Sequence, residues 1–453
     1  MQPPAVPPSF RRAPMGNGGS GKNSNGLRRW VIGCFFVFPL VCCGGTALFA
    51  RKWVDTFDYS ADLDTQVAEA KKHGLPLEAS EMRAGKSVSD ADNAFLELKK
   101  FMVAYPKTLS LSTNIRKFEP FQGSKVPDEI RNVASTAMTI TKKSGYDAHH
   151  NFDNGFFELY PEYASLKVLA NSLAKVAEQD AIDGKTDAAL GEVLAIRKLS
   201  QYLLYEHNLI GGLVSIALDH IFVNATMKLA DVQRTNHRFV DRIVTELTSS
   251  PVLPDIKESL KGEFFSGVTF TRNYSAFGGL KGLGNPDKVK PGRLVSTGLP
   301  KGLIERGMLA SLIQHFIKIE EFYDREPNIA TASRQADKYA NSIPLTVSNS
   351  LALIIFPTFA DAGIAWERRK LARTLAVKSI SLMRQKLKGD LPREIESIPD
   401  TLGGGEIVYK RTGDGFMLYS KGKNGQDDEG PKTTTERKTS DDFGFIYPFV
   451  VRP

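Results

Sequence analysis

Residues 163–183 read YASLKVLANSLAKVAEQDAID, and residues 188–206, after a GKTD turn at 184–187, read AALGEVLAIRKLSQYLLYE. In the first stretch Leu166, Leu169, Leu173 and Val176 recur at three- and four-residue spacings, the period of a helix with one apolar stripe. The second stretch keeps the same period, so the pair predicts an antiparallel helical hairpin. A third stretch, NLIGGLVSIALDHIFVNATMKLADV (208–232), is almost wholly apolar at its start and predicts a helix buried against both.

The same period extends outward in both directions. ADLDTQVAEAKKHG (61–74) and ADNAFLELKKFMVAY (91–105) predict helices, the first stopping at Gly74. KGLIERGMLASLIQHFIKIEEFYDRE (301–326) and the region from Ser350 to Leu387 predict more. Within the latter, SLALIIFPTFA is too short to span a bilayer and reads as a core helix interrupted at Pro357. Residues 262–302, rich in Gly and Pro, read as a long loop. The fold class that follows is mostly α: helical hairpins packed as a bundle over 54–388. The alternation resembles tetratricopeptide packing without that repeat's residue signature.

After Gly389 the period changes. EIVYKR (406–411) and GFMLYSKG (415–422) are short β-type runs joined by Gly413–Asp414–Gly415, a hairpin signal. The last run, FGFIYP, closes a small α+β module over 389–453.

At the other end, VIGCFFVFPLVCCGGTALFA (31–50) holds no charged side chain over twenty positions. A helix of that length covers roughly 30 Å, the hydrocarbon thickness of a bilayer. Trp30 and Trp53 bracket it, with Arg28–Arg29 and Arg51–Lys52 beside them, so residues 28–53 predict one transmembrane helix with its flanks. Pro39 and Gly44–Gly45 are tolerated in such a helix. The long region before it and Leu48 at the cleavage position argue against a removed signal peptide. Residues 1–27 form a basic Pro- and Gly-rich arm without apolar periodicity, which predicts disorder.

Composition bounds the function. The chain has 453 residues, 42% hydrophobic and 24% charged, with a formal charge of +8. Five basic and no acidic residues fall in the first thirty, so the large domain is nearly neutral. A basic arm beside a span serves topology, and nucleic acid is not expected as a partner. A mean hydropathy of −0.23 excludes a polytopic membrane protein. The three cysteines, Cys34, Cys42 and Cys43, all lie in the apolar run, so the large domain has no disulfide of its own. Counting basic residues around the span favours the arm in the cytoplasm and the large domain outside.

No catalytic spacing is present. GNGGSGKN (16–23) stops one residue short of a phosphate-binding loop, with Asn23 where Ser or Thr is needed. None of His73, His149, His150, His207, His220, His237 and His315 stands in a paired metal-ligand spacing. His149–His150, in YDAHHNFDN, reads as a solvated loop, and Glu158 with Glu162 as a surface carboxylate pair. The acidic loop Asn424, Asp427, Asp428, Glu429, Asp441 and Asp442 offers the oxygen donors that calcium takes.

The tail also carries a resemblance. Pro392, Tyr409, Gly413 to Phe416, Tyr419–Ser420–Lys421–Gly422, Asn424–Gly425 and Asp427–Asp428 resemble the C-terminal part of type II secretion major pseudopilins. With residues 71–95 and the hairpin 163–218, they resemble more closely an uncharacterised family of membrane-anchored helical proteins of planctomycete-type bacteria. The pseudopilin resemblance implies calcium held by Asn424, Asp427, Asp428, Asp441 and Asp442. The chain departs from it in Asn424, which replaces an Asp, in the insertion KTTTERKTS, and in lacking an early Glu in the span. The expected function is a non-catalytic envelope scaffold or interaction protein with the lipid bilayer and an envelope protein as partners. The alternatives are a secretion-associated pseudopilin-related component and a hydrolase whose site assembles from distant residues.

Overall fold

A computed structural model describes residues 54–82, 88–106, 108–249, 255–274, 300–431 and 441–450. The predicted arm, the span at 31–50 with its flanks up to Trp53, and the whole KTTTERKTS insertion lie outside the described residues.

The described chain is mostly helical with a small antiparallel sheet near the C-terminus. Helix α1 (Leu63–Lys72) gives way to Gly74, whose φ of +64° is open to glycine at little cost. The short α2 (Ala79–Met82) follows, then α3 (Ala94–Ala104), whose first turn is capped by the Asn93 side chain accepting from Phe95 N. Next come α4 (Thr108–Lys117) and α5 (Asp128–Ile140), then the predicted hairpin as α6 (Pro161–Ile182) and α7 (Thr186–Tyr202). Pro161 at the start of α6 sits where its missing N–H costs nothing. The buried helix is α8 (Leu209–Val232), followed by α9 (His237–Thr248), α10 (Ile256–Arg272), α11 (Lys301–Arg325), α12 (Ile329–Ser342) and α13 (Ser350–Lys388).

Two hydrophobic cores result. One gathers α3 to α9 with the C-terminal half of α13 and the sheet, around Leu166, Leu173, Phe222, Leu375 and Phe416. The other gathers α1, α10, α11, α12 and the N-terminal half of α13, around Phe264, Phe316, Phe356 and Phe359. Helices α8 and α13 run through both. At their crossing Asp219 of α8 meets two guanidinium groups of α13, Arg369 Nε at 2.9 Å and the Arg373 fork. Arg373 also donates to Leu247 O at 3.3 Å, which ties in the end of α9.

Two expectations are corrected. The supposed loop at 262–302 begins as helix: α10 runs to Arg272, and Phe264, Phe265, Val268 and Phe270 are buried on it. Its Gly262 and Gly267 serve close packing instead of a turn; a Cβ on Gly267 would come within 2.7 Å of Leu312. Second, Pro357 does not interrupt α13, which continues through it for 39 residues. Proline there forfeits one backbone hydrogen bond, and burial of Leu351, Phe356, Phe359 and Trp366 on the same helix outweighs that loss. Helices α8 and α13 are also both long and apolar enough to cross a membrane. Both bury their apolar faces inside the fold, with Leu218, Phe222, Leu229 and Leu375 at 0% exposure.

The predicted hairpin forms as β1 (Val408–Thr412) and β2 (Gly415–Ser420), paired antiparallel from Thr412–Gly415 to Val408–Tyr419. Strand β3 (Phe443–Tyr447) joins β2 on its other edge, giving the order β1-β2-β3. The sheet lies against α13: the Arg368 guanidinium stands 4.2 Å over the Phe443 ring, and Lys423 reaches Asp361 at 2.7 Å.

Candidate functional site

A dense group of titratable side chains lies where the polar stretch 146–154 turns back on the start of α6. Asn93 holds this stretch from below, donating to Asp147 O at 2.9 Å and accepting from Asp147 N at 3.0 Å. At His149 the backbone takes a positive φ of 53°, and the two adjacent imidazoles separate. His149 faces solvent beside Asp147, with Nδ1 3.1 Å from Oδ2. The His150 side chain turns inward and is only 7% exposed.

Three glutamates meet it there. Nε2 lies 3.0 Å from Glu206 Oε2 and 3.4 Å from Glu162 Oε1, and Nδ1 lies 3.5 Å from Glu158 Oε1. The ring sits edge-on to Tyr160 at 4.7 Å between centroids, and Tyr160 stacks in parallel on Tyr163 at 5.0 Å. Tyr163 donates to Glu206 at 3.3 Å, and Asn208 donates to Tyr163 Oη at 3.0 Å. Asn208 is also the cap of α8, accepting from Gly211 N at 2.6 Å, so the buried helix starts at this cluster. Glu263 of α10 closes the far side, accepting from Leu209 N at 3.3 Å.

The electrostatics follow from crowding carboxylates around one imidazole. Burial works against a charged His150 ring. The hydrogen bond and charge of Glu206, with the charges of Glu162 and Glu158, outweigh it and hold the ring's pKa above its ordinary value. Burial raises Glu162, with His150 offsetting part of the rise. Burial pushes Glu263 up to about 7, and the Leu209 N–H pulls the other way. Burial and the surrounding glutamates raise Tyr160 and Tyr163, whose hydroxyls stay protonated. The cluster is an internal ionic network in which His150 and Glu206 form the central pair. Chemically it can hold and exchange protons, and a substrate can meet it only if the rim opens.

Sequence reasoning placed His149–His150 in solvent and Glu158 with Glu162 on a surface. Only His149 is in solvent; His150, Glu162 and Glu206 are buried. The readable signal was Tyr160 and Tyr163, two aromatic rings interleaved with Glu158 and Glu162, which need a neighbour to cover them. Glu206, on the far end of the α7 hairpin, carries no local signal. Beside the cluster, Leu159, Ile210 and Leu213 are exposed at 80%, 49% and 37%. An open pocket of about 450 Å³ adjoins through His207, lined also by Lys71, Leu75, Met82, Glu258 and Lys261.

The structure brings the acidic loop of the tail together, and several of its oxygens accept hydrogen bonds within the protein. Asn424 accepts from Gln426 N at 2.8 Å and donates to Asp428 at 3.3 Å, and Asp428 accepts from Asp441 N at 3.0 Å. Asp427 accepts from Tyr419 Oη and Glu429 N, both at 2.9 Å, with the Lys410 ammonium at 3.1 Å. Asp442 accepts from Gly430 N at 2.7 Å. Among the described residues no group of three or more His, Cys, Asp or Glu is arranged to hold a metal ion. Comparison of the chain with protein-family models, with curated proteins and with solved structures found no match.

Proposed function

We propose that this chain is a single-span membrane protein of a bacterial envelope whose helical domain acts by binding a protein partner. The domain stands outside the cytoplasm in this reading, with the basic arm inside. The observation that supports binding over catalysis is the closure of the His150 cluster. Its chemistry-bearing groups pair with one another in the interior, while Leu159, Ile210 and Leu213, close to its members in sequence, are exposed apolar side chains. Leu159 and Ile210, exposed beside a rigid ionic network, suit an apolar anchor on another protein.

A photo-crosslinking amino acid at Leu159 or Ile210, introduced in cells that make the full chain, tests this. The expected result is a discrete adduct of fixed mass at both positions and none at Val103, which is exposed at 78% on α3. Equal and diffuse labelling at all three positions would contradict the reading. A second reading, a secretion-associated component related to pseudopilins, draws on the packing of the tail sheet against α13 through Arg368–Phe443 and Lys423–Asp361.

A further inference from the structure

The apolar run ends at Ala50, and the described chain begins at Val54 as a short helical segment over residues 54–61. This segment is fixed to the domain at several points. The Asp55 carboxylate lies beside Thr346 and Ser348, and the Tyr59 hydroxyl beside Asn349. Arg306 donates to Ser60 O at 3.4 Å. Thr56 is fully buried over Gly307, where an added Cβ would come within 2.9 Å of Thr56 O. Asn349 in turn accepts from Ser311 at 2.6 Å and meets His315 Nε2 at 3.1 Å, so the loop receiving the segment is itself locked onto α11.

Along this segment and the loop that receives it, several apolar side chains are exposed. Val54 is 51% exposed and Phe57, one turn on, 49%. Leu345, beside Thr346, is 56% exposed, and Ile354, early in α13, 39%. Singly exposed apolar residues need no explanation. Here their position does, because four peptide links from Ala50 to Val54 reach at most roughly 14 Å. The headgroup layer on each side of a bilayer is on the order of 6 Å thick. A tether that short keeps Val54 within reach of the headgroup layer.

We propose that the face bearing Val54, Phe57 and Leu345 rests on the bilayer surface, its apolar side chains inserted at headgroup level. The proposal depends on the single-span reading above and adds to it a fixed pose: the domain is seated on the membrane, not carried on a flexible stalk. The occupant is lipid because the chain itself delivers this face to the membrane, and amphipathic segments of this kind bind at the interface through buried apolar area.

The test uses the full chain in phosphatidylcholine vesicles, with Cys34, Cys42 and Cys43 changed to Ser. An environment-sensitive fluorophore is placed on Leu345→Cys, on Phe57→Cys, or on Val103→Cys as the reference, and its quenching by brominated lipid is measured. Leu345 and Phe57 are half exposed, so neither substitution opens a core. The expected result is an intensity loss of about two-fold at positions 345 and 57, with none at 103. Quenching at 345 and 57 no greater than at 103, in vesicles that retain the chain through alkaline carbonate, overturns the seated pose and leaves the anchor standing. Release of the chain by carbonate overturns the anchor and the pose together.

Discussion

Asp219→Asn is expected to destabilise the domain by about 3–5 kcal/mol, the largest effect of any single polar substitution in this fold. Asp219 is at 0% exposure, the Arg369 side chain at 1% and that of Arg373 at 8%. The carboxylate neutralises one guanidinium outright and orients both. Asparagine keeps the shape and removes the charge, which leaves two cations in an interior that cannot solvate them. The cost is felt in both cores, because α8 and α13 cross at this point and run through each. Denaturant unfolding of the full chain in detergent checks it, and a loss under about 1 kcal/mol would mean that water reaches the triad. Replacing all three residues together by apolar side chains of similar volume should recover most of the loss, since desolvation of the charges disappears with them.

The second large effect is a pH dependence centred on Glu263. Its carboxyl is raised from 4.5 to about 7 by burial, so the folded state holds the proton more tightly than the unfolded chain does. That contribution to stability is complete below about 4.5 and is lost as pH rises through about 7. Its size, allowing for the partial exposure of the residue, is on the order of 2 kcal/mol. His150 and Glu162, also raised, act in the same direction. Stability measured from pH 4.5 to 8 should therefore fall, and Glu263→Gln should flatten part of the slope. Glu320, raised to about 7, and Glu192, raised to about 8, keep the remainder. A Gln variant with an unchanged slope would show that Glu263 titrates in solvent.

Much of the fold was legible because helices with one apolar stripe announce themselves. Hairpin α6–α7, α8, α11 and the β1–β2 turn at Gly413–Asp414 each stand where period or turn chemistry put them. The errors came where a residue's usual role was overridden by its neighbours. Gly262 and Gly267 read as loop residues, yet they let α10 approach His207 and Leu312 closely. Pro357 read as a break, yet apolar burial on both sides of it carried α13 through. The candidate site was the least legible. His150 belongs to a polar, Asn- and Asp-rich stretch, and what buries it is Glu206 and Asn208 from a hairpin some fifty-six residues further on. No local pattern records that meeting.

The whole reading, partner surface and seated face included, depends on residues 31–50 residing in lipid. The direct measurement is ultracentrifugation of membranes from lysed cells after an alkaline carbonate wash, followed by detection of the intact chain. The account predicts that the chain remains in the pellet and leaves it only with detergent. Intact chain in the carbonate supernatant would contradict it.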